Sequence, residues 1–310
     1  MNPETTLSHD ALPWVVLVNY GDKGLTSGGL ESLAKVESCP HVAIVVDHGP
    51  DLAPVEYWEQ FHPNVHSLQD ASNPGFAAGC NRGAEYALAH GAGSLWFLNN
   101  DATLIEPTLG RLLKLTQDSP SVSLWGTYQQ DGDRLIGCST HKGWYARASK
   151  GAPHRWISCD SIPTTEKTVG CYYECLEPNQ SLSGASIFLL KDTWEKLGPW
   201  PEKYFLYWED AAWCLQAHQY GMYMAMADLK IEHAGSATTV RRSPLSTFYG
   251  ARNQLLLHTE AVPNDRFERL LLKCHMLQKC IFRGRWTLLA PTWRGIVAAS
   301  KQKGGRDPRY

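Results

Sequence analysis

The feature that most constrains this chain is an alternation. Short apolar, β-branched runs recur at Val15–Asn19, Val42–Val46, Val65–Leu68 and Leu95–Leu98, and between them lie segments of helical length, Leu25–Val36 and Ala77–His90. Gly91 supplies a stop after the second helix, and a further helix follows over Pro107–Gln117 with Pro107 in its first turn. Strands and helices that alternate at this spacing predict parallel βαβ units, with the strands buried on both faces. No apolar run approaches the roughly 18–20 residues of a membrane span.

From Val122 to Gln180 the rhythm is lost. That stretch is rich in Gly, Ser, Cys and aromatic residues and reads as irregular loops with antiparallel strands. Regular signals return with a strand at Ser186–Leu190, a short helix at Asp192–Leu197, a helix at Trp208–Tyr220 and a strand at Met222–Ala227. Residues Arg266–Ile281 predict an amphipathic helix: Phe267, Leu270, Leu271, Cys274, Leu277 and Ile281 are spaced three or four apart, with Arg266, Arg269, Lys273 and Lys279 on the other side. The expected division is an α/β domain over 1–240, in two halves at about 13–120 and about 121–240. A basic helical C-terminal extension follows over 241–310.

Three of the predicted strands end in polar residues: Asn19-Tyr20, Asp47-His48-Gly49 and Asn99-Asn100-Asp101. One such ending is an ordinary turn. Three in one half of a parallel sheet point to a shared site, because open α/β sheets bind ligands beyond the C-terminal ends of their strands. A dinucleotide-binding dehydrogenase would need a GxGxxG turn after the first strand; Asn19–Gly24 reads NYGDKG and does not fit. In the segment Asn73–Ala84, Gly75, Gly79 and Gly83 allow a close backbone approach where a loop enters a helix, whose first N–H groups suit an anion.

These pieces resemble family 2 glycosyltransferases, and within them a rhamnosyltransferase-like bacterial group. VVLVNY, VVDHGP, NPGFAAGCNRG, LNND, LSGASIFLLK, YFLYWEDAAWCL, IEHAGSATT and FYGARN occur in the family's order, from about Val15 to Asn253. The resemblance implies a GT-A type fold, a Rossmann-like mixed sheet flanked by helices. It implies that Asp47 bonds the base of a nucleotide sugar, with Asn19 and Tyr20 beside it. Asn73, Gly75, Phe76 and Asn81 would close over base and ribose. Asn99-Asn100-Asp101 matches the metal motif, with Asp101 the ligand for Mg²⁺ or Mn²⁺ and His233 a second contact. Ser183, Gly184 and Ala185 would lie near the donor sugar and acceptor, and Asp210, next to Glu209, would be the catalytic base; Trp208 and Tyr207 either stack on a sugar or belong to the core. Arg252 would contact the diphosphate or a lipid-linked phosphate, with Arg241 and Arg242 as further candidates, and a basic surface is their structural alternative.

The family's Glu-Asp-Val-Asp reads Glu209-Asp210-Ala211-Ala212 here, and the second carboxylate is missing. Each assignment has a structural alternative: Asp210 as a helix cap, Asp47 and Asp101 as turn residues, His233 as a loop residue. The expected activity is inverting transfer from a nucleotide-diphosphate sugar, deoxythymidine-diphosphate rhamnose first and a uridine-diphosphate sugar next, to a hydroxyl of a cell-surface glycan. A non-catalytic sugar- or nucleotide-sugar-binding protein on a decayed transferase fold is the alternative.

Charge and cysteine usage bound the setting. From Arg241 onward there are 14 Lys/Arg and 4 Asp/Glu; the rest of the chain carries 15 and 27. A basic end on an acidic body suits either an anionic partner or a solvated helical face; on the first reading the Arg266–Ile281 helix touches a membrane surface or a lipid-linked acceptor, on the second it is a solvated or core helix, and no nucleic acid is implied. Nine scattered cysteines and polar first residues favour a reduced, cytoplasmic protein, and the glycan acceptor implied by the resemblance would place it at the inner membrane face. A homodimer is compatible with the sequence. Twelve tryptophans exceed what a core of this size needs, and some are expected to line a cleft.

Overall fold

A computed structural model describes residues 11–132, 134–141, 143–149, 173–233 and 243–309. The first half follows the alternation: β1 (Pro13–Asn19), α1 (Lys23–Val36), β2 (Val42–Asp47), α2 (Val55–Glu59), β3 (Val65–Gln69), α3 (Phe76–Ala89), β4 (Ser94–Leu98), β5 (Ala102–Leu104) and α4 (Leu109–Asp118). Then come β6 (Val122–Asp131), β7 (Arg134–Ile136), β8 (Ser139–Thr140), α5 (Gly143–Ser149), β9 (Tyr173–Cys175), β10 (Gln180–Ser181) and β11 (Ser186–Leu190). The chain continues with α6 (Lys191–Leu197), α7 (Glu209–Gln219), β12 (Tyr223–His233), α8 (Pro244–Ala261), α9 (Arg266–Phe282) and α10 (Leu289–Ser300).

One mixed sheet runs β3-β2-β1-β4-β11-β6-β12-β5, with β7 on β6 and β9 on β12. β1 pairs in parallel with β2 and β4, and β2 with β3; β11 lies antiparallel between β4 and β6. Because β1 and β2 run in parallel register, Asn19 sits directly beside Asp47. The antiparallel step to β11 sets Ser186 against Leu98, so the chain entering β11 and the chain leaving β4 meet at the same edge. The polar ends of three strands thereby share one rim.

Both faces of the sheet are covered. Trp58, Trp96 and Trp125 are buried on one face with α1, α2 and α4, and Trp194, Trp200 and Trp213 on the other with α3, α6 and α7. Trp14 and Trp144 are buried as well. These eight tryptophans fill the core, Trp286 and Trp293 stand exposed on the C-terminal helical segment, and no described tryptophan lines the cavity at the strand ends.

The glycines of α3 also serve packing. A Cβ at Gly79 would lie 2.7 Å from Val18 Cγ1, and one at Gly83 2.5 Å from Val16 Cγ1. They let the helix lie flat on β1 and β2, so the close backbone approach at these two glycines is to the sheet.

Where the sequence predicts irregular loops with antiparallel strands, the region 122–180 holds antiparallel pairings and, in addition, one long strand with a parallel neighbour. Its first ten residues form β6, a central strand parallel to β12 and antiparallel to β11. Residues 150–172 of that region lie outside the described residues, as do Arg241, Arg242 and the first ten residues. β12 runs on to His233 through a register shift between Ala227 and Lys230, and this carries His233 to the rim beside β5.

Helix α9 forms over nearly the expected residues, with Asp265 capping its first turn at Glu268 N. Its inward side is Leu272 and Cys280, while Phe267, Leu270, Leu271 and Ile281 face outward.

Candidate active site

A cavity of about 390 Å³ opens at the rim where these strand ends meet. Tyr20, His48, Asn100 and Asp101 line it from the tips of β1, β2 and β4. Asn73, Gly75 and Phe76 line it from the loop into α3, Ser183–Ala185 from the approach to β11, and Phe205–Tyr207 with Glu209 and Asp210 from the start of α7. His233, Leu245 and Arg306 complete the wall.

Behind the strand tips runs a buried chain of hydrogen bonds. Asn100 Nδ2 donates to Thr26 Oγ1 (3.0 Å), Thr26 Oγ1 to Asn19 Oδ1 (2.7 Å), and Asn19 Nδ2 to Asp47 Oδ1 (2.8 Å). Asp47 also accepts from the backbone N–H of Gly49 and Ala53, at 3.1 and 2.8 Å. Asn19 and Asp47 are fully buried and lie outside the cavity lining. The residue of this turn that lines the cavity is His48. Its Nδ1 is 3.1 Å from the Asp70 carbonyl, its Nε2 is buried with no hydrogen-bond partner, and burial lowers its pKa.

Asp101 and His233 meet at the rim, with Asp101 Oδ1 3.0 Å from His233 Nε2 and Asn99 Nδ2 3.2 Å from the same nitrogen. One hard oxygen and one imidazole nitrogen at that separation fit two neighbouring corners of an octahedral cation, which are about 3 Å apart for ligands at about 2.1 Å. Among the described residues no group of three or more His, Cys, Asp or Glu side chains converges on a metal position, so further ligands would have to come from substrate or water.

Across the cavity, Asp210 opens α7. Its Oδ2 accepts from Gly184 N (3.0 Å) and its Oδ1 from Ala211 N (2.7 Å). Burial pushes its carboxyl above the usual aspartate value, and these backbone donors partly offset the rise. Glu209 is more strongly affected: burial first, and the neighbouring Asp210 charge second, hold its carboxyl well above the ordinary range. Its Oε2 is buried without a partner.

The backbone before this helix is strained. Tyr207 and Trp208 both have left-handed φ, 67° and 73°, which bulky residues rarely adopt. Asn253 of α8, itself buried, donates both amide hydrogens to this turn, to the carbonyls of Leu206 and Tyr207, each at 2.8 Å. Gly75 fits against the same turn. Its φ is 110°, and a Cβ there would lie 2.5 Å from the Phe205 carbonyl oxygen, so only glycine is accommodated.

Of the residues singled out from sequence, Tyr20, Asn73, Gly75, Phe76, Asn100, Asp101, Ser183, Gly184, Ala185, Glu209, Asp210 and His233 line one cavity. Asn19, Asp47, Asn81, Trp208 and Arg252 do not. Asn81 ties α3 to Trp200, accepting from its N (2.8 Å) and donating to its carbonyl (3.0 Å). Trp208 packs beside His141 and Trp144. Arg252 is buried against Phe248 and Tyr249, its Nε donating to Asn253 Oδ1 (2.8 Å). His48 and Arg306 were not among the expected site residues. His48 follows Asp47 at a strand tip and was open to the same reasoning; no local pattern marks Arg306.

This arrangement is a GT-A-like glycosyltransferase fold: a mostly parallel sheet with helices on both faces and its cleft at the strand ends. The mannosyltransferase PcManGT from Pyrobaculum calidifontis, solved with GDP-Man and Mn²⁺, superposes with a TM-score of 0.55 at 15% identity, over 96% of this chain and 89% of that one. In sequence, the chain is 22% identical over 253 residues to the dTDP-rhamnosyl transferase RfbF of Shigella flexneri, covering 79% of each. TarS of S. aureus overlays less well, with a TM-score of 0.46 at 14% identity over 88% of this chain and 43% of that one, a likeness too slight to carry an argument. No family model matches the chain.

Proposed function

We propose that this protein is an inverting glycosyltransferase that moves a sugar from a nucleotide-diphosphate donor to a glycan hydroxyl. One observation carries the reading: a cation-suited pair, Asp101 and His233, and a carboxylate, Asp210, line the same cavity. Transfer requires both. A divalent cation at the pair would neutralise the diphosphate as it leaves. Asp210 takes the proton of the acceptor hydroxyl as its oxygen attacks the anomeric carbon from the face opposite the diphosphate. The new C–O bond forms as the bond to the diphosphate breaks, and the anomeric configuration inverts. The raised pKa of Asp210 makes it a better base than an ordinary aspartate and keeps the proton until it is lost to solvent. Glu209, whose carboxyl burial and the Asp210 charge push toward the protonated form, lines the cavity beside it.

The donor we favour is deoxythymidine-diphosphate rhamnose, on the likeness to RfbF, with a uridine-diphosphate sugar next. A panel of nucleotide sugars with product detection, and the anomeric configuration of the product read by NMR, tests this. Donor binding without turnover for every sugar and acceptor offered would favour a decayed, binding-only protein. A retained configuration would remove direct displacement.

We further propose that the acceptor is met at a membrane surface. The outward residues of α9 and of the turn after it are apolar and aromatic, with Phe282 84% exposed and Trp286 64% exposed. Arg283 and Arg285 stand between those two rings, and residues 266–303 hold nine Lys/Arg and a single acidic residue, Glu268. That combination suits an anionic bilayer interface. Among the described residues no helix is long and apolar enough to cross a membrane. Flotation with vesicles containing phosphatidylglycerol should carry the native chain, and the pair Phe282→Ser and Trp286→Ser should abolish it. Equal flotation of both would count against docking here.

A further inference from the structure

The tail after α10 turns back over the cavity. Gly305 N donates to the Lys203 carbonyl (2.8 Å), and the Gly305 carbonyl accepts from Arg252 Nη1 (2.6 Å). Two residues on, Asp307 N donates to the Tyr249 hydroxyl (2.8 Å). The close fit shows at Gly304 too, where a Cβ would lie 3.0 Å from both the Cβ and the carbonyl oxygen of Lys203. Between these anchors, Arg306 reaches the cavity wall. Its Nη1 donates to the Ser72 carbonyl (3.0 Å), and its guanidinium lies 5.9 Å from the centre of the Phe205 ring.

The charge balance of the wall gives this arginine its meaning. The carboxyl groups lining the cavity are Asp101, Glu209 and Asp210, and the imidazoles are His48 and His233. Arg306 is the single permanently charged cation among the described lining residues. Its neighbour Asp307 does not neutralise it, because that carboxylate is engaged by Arg309 through Oδ1 (2.8 Å) and Oδ2 (2.7 Å). Arg306 forms no ion pair among the described residues. Arg252, the arginine expected from sequence to meet the diphosphate, instead lies buried and spends Nη1 on holding the tail.

We propose that Arg306 is a donor-binding residue that pairs with the diphosphate of the nucleotide sugar, and that Arg252 is the positioning residue that pins the tail to present it. The proposal rests on the donor reading above. A planar guanidinium with several donors matches phosphate oxygens. Delivered from the segment after α10, it also makes the docking of that segment a requirement for tight donor binding.

The test compares the full native chain with Arg306→Gln and Arg306→Lys. Calorimetry measures dTDP and UDP, and ligand-observed NMR measures thymidine and uridine, all with Mg²⁺ present. Arg306→Gln should weaken the nucleoside diphosphate that the native chain binds by about tenfold or more, the loss of one charge-assisted contact, and leave the matching nucleoside unchanged. Arg306→Lys should recover part of the loss. Diphosphate affinity within about twofold of native, or an equal loss for the nucleoside, would overturn the assignment. If the native chain binds neither dTDP nor UDP, the donor reading itself falls, and this proposal with it.

Discussion

The two walls of the cavity are built differently. Behind the strand-tip side, Asn19, Asp47 and Asn100 leave regular strands without left-handed backbone, and they hydrogen-bond to one another, to Thr26 and to the backbone N–H of Gly49 and Ala53. On the opposite side, Tyr207 and Trp208 stand in left-handed conformations immediately before Glu209 and Asp210, held by hydrogen bonds from Asn253 on a distant helix. The first wall is a by-product of where a parallel sheet ends. The second exists only because particular side chains hold an unfavourable turn in place. Strain of this kind persists where surrounding contacts over-determine it, and it concentrates at functional positions.

If that contrast is right, substitutions should sort by wall and by whether a group faces the cavity. The largest effect is expected at Asp101, which faces it. Asp101→Asn should lower turnover by about a hundredfold or more with little change in stability, because the hard anionic ligand is lost while the shape remains. Turnover insensitive both to this change and to excess EDTA would remove the cation from the account.

Next comes Asn253→Ala, which frees two carbonyls and the strained turn together. It should cost about 2–4 kcal/mol in denaturant unfolding and reduce turnover more than donor affinity. A loss below about 1 kcal/mol would show that the turn does not depend on its amide clamp.

Asp47→Asn probes the strand-tip wall. Asp47 accepts three hydrogen bonds and is fully buried, so the change should cost about 1–3 kcal/mol of stability while donor affinity stays near native. Unchanged stability with lost donor binding would restore the role in base recognition implied by the family resemblance.

The smallest effect is in the pH dependence of stability. Glu209 has a folded-state pKa raised above its unfolded value, so the folded chain binds more protons between those two values. Its contribution to stability is fully present below the ordinary glutamate range and is lost as pH rises through the raised value. Glu209→Gln should therefore flatten the fall in stability on going from acid to neutral pH, read from unfolding midpoints across that range. An unchanged slope would mean that Glu209 does not titrate as a buried acid.

The same contrast explains what could be read from sequence. The continuous apolar runs and helical-length segments of the first half define β1–β4, α1, α3 and α4 to within a few residues, while the short α2 and β5 carry no such signal, and the polar strand ends follow directly from where apolar runs stop. Asp101 and Tyr20 were legible for that reason. Asp47 was legible as a strand-end polar residue, but the direction of its carboxylate depends on Gly49, Ala53 and Asn19, which no spacing encodes. β6 was missed because Trp125-Gly126-Thr127 interrupts the usual apolar run with a glycine whose missing Cβ makes room for Leu182 and Met226. The helix α9 was legible as amphipathic, but periodicity identifies an apolar face without saying whether protein or something else covers it. Arg306 was invisible, since its place at the cavity depends on tail contacts with Lys203, Tyr249 and Arg252.

The central claim is that the strand tips and the start of α7 enclose one pocket where an activated sugar meets a base. Its most direct test is Asp210→Asn assayed with the best donor from the panel, with donor affinity and turnover measured on the same preparation. The account predicts donor affinity near native and turnover lower by roughly a hundredfold or more, the usual contribution of a positioned general base. Native turnover in that variant would contradict it.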